Sequence, residues 1–78
     1  MSEQLYKVSL RHDGYRWWTD ADRYWRLRWP FIQGQLNRYG WRGYVRRYVT
    51  YDNQKRTSEM IIVLNDRSTA LILKLALA

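Results

Sequence analysis

Residues 20–39 read DADRYWRLRWPFIQGQLNRY, and how this stretch folds decides the architecture of the chain. Trp18, Ala21, Trp25, Trp29, Ile32 and Leu36 recur at intervals of three or four. That spacing lays one continuous apolar stripe along a helix. Thr19 or Asp20 suits the N-cap, and Asp20 and Asp22 suit the positive end of the helix dipole. Gly40 follows the last periodic residue, where a left-handed C-cap is wanted. Pro30 conflicts with a straight helix, because it lacks an N–H and its ring crowds the preceding turn. The expectation is therefore a helix over 20–39 interrupted near Pro30, either as a kink or with Pro30 opening a second helix. A competing reading makes Tyr24 to Trp29 a strand, since Trp25, Leu27 and Trp29 alternate with Arg26 and Arg28.

Upstream, residues 5–10 alternate with period two. Tyr6, Val8 and Leu10 share one face of a half-buried strand, and Leu5 violates the parity. Asp13-Gly14 is a turn signal. Downstream, Gly40-Trp41-Arg42-Gly43 reads as a loop. Residues 44–51, YVRRYVTY, are rich in β-formers. Asp52 to Arg56 forms a polar turn, and residues 59–64, EMIIVL, form the most apolar strand, expected at the centre of a sheet. Asn65-Asp66 can cap a helix over 67–77, with Ala70, Leu71, Lys74 and Leu75 at helical spacing. The same residues also alternate as a strand through Leu71, Leu73, Leu75 and Leu77. Taking the helix gives the order β-α-β-β-α. This is a small single α+β domain spanning 1–78, with a short antiparallel sheet and helices on one face. The alternative is a mostly β protein with one helix.

The whole chain has 78 residues, with 14 Lys and Arg against seven Asp and Glu, for a net charge of +7. It contains five Trp, seven Tyr and one Phe. A length of 78 residues suits one domain, which buries only about 60% of its unfolded surface. Large rings offset that thin core, and a homodimer would relieve it further. The absence of Cys excludes a disulfide framework and thiolate chemistry. The longest apolar run is the five residues from Met60 to Leu64, too short to span a bilayer, so no integral membrane association is expected. The N-terminus lacks the pattern of a secretory signal, and a cytoplasmic protein is expected.

The search for chemistry is mostly negative. His12 is the only histidine and reads as a solvated residue beside the Asp13-Gly14 turn. One His, no Cys and seven scattered acids do not make a transition-metal site, which needs three or four convergent ligands. Asp20 and Asp22 are two apart and do not face each other on a helix. The Gly40–Gly43 loop lacks the lysine and the strand-loop-helix setting of a phosphate cradle. The chain is expected to be non-enzymatic, without metal or cofactor.

The positive signal is basic and aromatic. Residues 11–47 hold nine Arg against three Asp, which accounts for six of the seven net charges. Arginine presents a planar fork suited to phosphate and carboxylate, and exposed rings stack on unpaired bases. The expectation is a small basic binding module contacting nucleic acid. Arg16, Arg23, Arg26, Arg28, Arg42 and Arg46 would meet phosphate, and Tyr15, Trp17, Trp41 and Tyr44 would stack. The alternative is a protein-interaction or inhibitory module docking on an acidic protein surface, since Trp, Tyr and Arg also dominate interface hot spots.

Overall fold

A computed structural model describes residues 4–77. The elements are β1 (Tyr6–Asp13), α1 (Trp18–Arg38), β2 (Tyr44–Asp52), β3 (Thr57–Leu64) and α2 (Arg67–Leu77). The order is β-α-β-β-α, as the sequence implied. The sheet order is β1-β3-β2, both pairings are antiparallel, and the apolar β3 is central.

The register sorts the side chains by face. Val8 faces Ile62, Leu10 faces Met60, and Val49 faces Met60 from the other side. These residues lie under the helices. The core joins Val8, Met60, Ile62 and Leu64 to Trp25, Ile32 and Leu36 of α1 and to Ala70, Leu73 and Leu77 of α2. The other face carries Lys7, Ser9 and Arg11 on β1, and Arg46, Tyr48 and Thr50 on β2. Between them Val63 is buried, sitting between Lys7 and Arg46 in the register. The aliphatic stems of such long cations can cover apolar surface.

Four expectations are corrected. First, α1 is one helix with Pro30 inside it, so Pro30 does not open a second helix. A proline inside a helix costs about 3 kcal/mol. Beyond it, however, Ile32 and Leu36 are completely buried, and each such side chain contributes about 1.5–3 kcal/mol. Breaking the helix would forfeit that stripe, so the stripe wins. Second, the N-cap is Trp17, not Thr19 or Asp20. Asp20 instead stands three residues into the helix and accepts the Trp17 N–H at 3.2 Å, while Trp17 C=O accepts the Asp20 N–H at 2.9 Å. Third, Trp18 belongs to the stripe by azimuth yet is exposed, since as the first residue of α1 it lies a turn outside the buried run that begins at Ala21. Fourth, β1 extends through Asp13, which draws His12 into the sheet. Its ring stacks on Tyr24 with centroids 3.7 Å apart, so it is half-buried, not solvated.

The C-terminus of α1 closes as the Gly40 signal implied. Gly40 N–H donates to Asn37 C=O, Trp41 N–H donates to Leu36 C=O, and Gly40 has φ +61°. This is a Schellman closure. Gly43 then turns the chain into β2 at φ +75°. A Cβ there would sit 2.5 Å from Asp66 Cβ, so only glycine lets this loop touch the start of α2. Asp66 caps α2 by accepting the Thr69 N–H at 2.9 Å and the Thr69 hydroxyl at 2.6 Å.

Candidate nucleic-acid interface

The ten residues expected to make contacts do not form one surface. Arg16 and Trp17 lie in the β1–α1 connection, at the end of the sheet where β1 finishes and β3 begins. Arg23 is exposed on α1. Arg26 is paired with Asp22 at 3.1 Å, and the Arg28 guanidinium lies 5.0 Å over the Phe31 ring. At the opposite end of the molecule Arg42 faces Asp66 at 3.8 Å. Trp41 and Tyr44 are only half-exposed there. Trp41 packs edge-on against Trp29 and Tyr44 and donates its indole N–H to Asn37. Arg46 lies on the open sheet face over Tyr48. Tyr15, expected to stack on a base, is buried. Its hydroxyl donates to the Asp52 carbonyl at 3.4 Å or to Asn53 Oδ1 at 3.2 Å.

Two of these clusters have the shape of a site. One is a groove of about 270 Å³ between α1 and β2, lined by Asp22, Arg26, Trp29 and Arg47 among others. Its cations are already engaged. Arg26 meets Asp22, and the Arg47 guanidinium stacks 3.7 Å from the Trp29 ring centre.

The other lies at the Arg16–Trp17 end. Arg16, Trp17 and Arg56 line a cleft of about 260 Å³. The same three residues, with Tyr15, Trp18 and Asn53, line a second cleft of about 240 Å³. Trp17 is 69% exposed and Trp18 60%. Among the described residues, neither Arg16 nor Arg56 has an acidic partner within 4 Å. The acids nearby are committed elsewhere. Asp13 binds Arg11 at 2.7 Å, which holds that guanidinium still more firmly protonated. Asp20 takes the Trp17 N–H, and Asp52 takes the N–H groups of Gln54 and Lys55. Beneath the platform Tyr51 packs edge-on against Tyr15, and partial burial raises its phenol above the ordinary value.

The platform is rigid where it matters. The Trp17 main chain is held by its reciprocal bonds with Asp20, so the exposed indole stands on a fixed base. Arg56 has φ +54°, a left-handed conformation that costs a non-glycine residue about 1–2 kcal/mol. Its carbonyl accepts the Gly14 N–H at 2.9 Å, tying the two loops together. Sequence reasoning placed Arg56 in a polar turn and no further. Its approach to Arg16 comes from the β1–β3 register, which sets Asp13 opposite Thr57. No local sequence signal carries that pairing.

No group of three or more His, Cys, Asp and Glu residues placed to hold a metal ion occurs among the described residues. No protein-family model matches the chain, and no curated protein or solved structure is significantly similar to it.

Proposed function

We propose that this domain binds single-stranded nucleic acid at the loop end formed by Arg16, Trp17, Trp18 and Arg56. The observation that carries this reading is the pair of adjacent, solvent-exposed indoles bracketed by two arginines without acidic partners. Leaving two Trp rings in water forgoes burial that a small domain needs. A use outside the fold accounts for it. Stacking of an unpaired base on such a ring contributes about 1–3 kcal/mol, and a guanidinium beside it takes the flanking phosphate in a bidentate fork. The strained backbone at Arg56 fits a residue held in place for contact. Arg16, Trp17 and Arg56 sit on short loops and Trp18 opens α1, which packs back on the sheet instead of offering a free helix to a duplex groove, and this favours unpaired strands.

The test is fluorescence anisotropy with labelled random DNA and RNA single strands at low and moderate salt. Micromolar binding that weakens with salt is the expected result. Trp17→Ala should then cost about 1–3 kcal/mol of binding, and Arg16→Glu with Arg56→Glu should abolish it, with circular dichroism unchanged. No binding at low salt would reject the proposal and turn attention to an acidic protein surface.

A further inference from the structure

The outer side of the helical layer carries a second surface, independent of the loop-end platform. Both helices cover the same face of the sheet, so each has one side turned to the core and one turned away. Leu27 lies about 200° round the helix from buried Trp25, and Leu75 about 200° round from buried Leu73. Both point outward, and they are 75% and 79% exposed. Phe31 stands one turn from Leu27, and Leu71 one turn from Leu75, and both are at least half-exposed. Four large apolar side chains of the layer are thus exposed, two from each helix, with Leu71 also lining a cleft of about 330 Å³ against β1.

The charge of that layer is one-sided. From Arg23 to Arg38, and through all of α2, there is no acidic residue. The same segments carry Arg23, Arg26, Arg28, Arg38, Arg67 and Lys74, all exposed. Among the described residues, Arg26 is the one of these with an ion pair, to Asp22 at the start of α1. The described structure measures 40 × 28 × 18 Å.

We infer that the outer face of α1 and α2 binds the surface of an anionic lipid bilayer. Protruding Leu and Phe ridges among cations suit a headgroup region, where apolar side chains enter the acyl boundary and cations stay with the phosphates. Arginine and lysine stems extend far enough to keep their charges in the headgroup layer. A second copy of the chain is disfavoured as the occupant, because it would press two layers of net positive charge together, each with six cations against Asp20 and Asp22 at the start of α1. The whole domain would lie on the membrane, not across it. Among the described residues no helix is long and apolar enough to span one.

The test is co-sedimentation of the nuclease-treated domain with vesicles of pure phosphatidylcholine and with vesicles containing about one-third phosphatidylglycerol. Binding to the anionic vesicles alone is expected. Leu27→Gln with Phe31→Gln should weaken it about tenfold or more, and so should Leu71→Gln with Leu75→Gln on the other helix. All four side chains are exposed, so both variants should keep the wild-type circular dichroism. Both should also bind single strands like wild type, and the Arg16→Glu/Arg56→Glu variant should still bind vesicles, which separates this surface from the loop-end platform. Failure to sediment with anionic vesicles overturns the inference. So does sedimentation that both glutamine variants retain, which would be charge attraction without insertion. A concentration-dependent dimer that the same variants dissolve, with no vesicle binding, would make the face a self-interface and overturn it as well.

Discussion

Asp66 serves three neighbours at once. It caps α2 through Thr69, packs against Gly43, and faces Arg42. The Thr69 hydroxyl and N–H, then the Arg42 charge, hold its carboxyl below the usual carboxylate range. A carboxyl depressed in the folded state adds stability above its unfolded pKa of about 3.9, and that stability is lost as pH falls through the folded value. Asp66→Ala should therefore lower the melting temperature most near neutral pH. The gap to wild type should narrow below about pH 4 as both states of the carboxyl become protonated. Thermal melts of the two proteins from pH 7 to pH 2.5 check this, and a pH-independent gap would show that the cap acts through packing alone. The capping role of Asp66 was legible from its place before an apolar periodic run. The Trp17 cap was not, because an aromatic residue carries no capping signal and works here only through Asp20 reaching back.

At the scale of the element, α1 is a contest between one bad residue and a long stripe. Pro30→Ala should stabilise the domain by about 1–3 kcal/mol, since it restores a helical N–H at an exposed position. Urea unfolding of the two proteins measures it, and an unchanged midpoint would mean that the helix has already absorbed the proline. Trp25→Ala should cost about 3–5 kcal/mol, because it empties a core site. It also removes the indole N–H that the Ser58 hydroxyl accepts at 2.9 Å in the interior, leaving that hydroxyl only its long 3.5 Å donation to the His12 carbonyl. A mild effect in the same assay would place Trp25 outside the core. For α2 the sequence left two readings, and the burial pattern separates them. A strand would put Leu71, Leu73, Leu75 and Leu77 on one side. Instead Leu73 and Leu77 are buried while Leu71 and Leu75 are exposed, which is helical phasing.

For the whole molecule, the question is how much of the +7 charge meets a ligand at once. The arginines are spread over both ends, the back of α1 and both faces of the sheet. A single strand at the loop end would meet Arg16, Arg56 and Lys55 of the same loop. Three phosphate contacts give a plot of log affinity against log salt with a slope of about −2, whereas engagement of all seven net charges would give about −5. Titrations across several salt concentrations distinguish these. The steeper slope would mean that the strand wraps the molecule and the loop end is not the principal site.

With residues 67–77 left open between helix and strand, the sequence alone carried the three strands, the central place of β3, the C-cap at Gly40 and the basic, ring-rich character of the chain. Each is written in local periodicity, capping chemistry or composition, which a few consecutive residues carry. It also singled out Trp17 as a ring for contact. Packing in three dimensions set the rest: Trp18 joins it at the surface, Trp41 and Tyr15 pack inward, and Arg56 comes beside Arg16. Those outcomes depend on where the sheet ends and which loops the β1–β3 register brings together. Contacts between residues 40 apart in the chain leave no trace in the spacing of near neighbours. For that reason a belt of arginines counted along residues 11–47 became several separate surfaces in space.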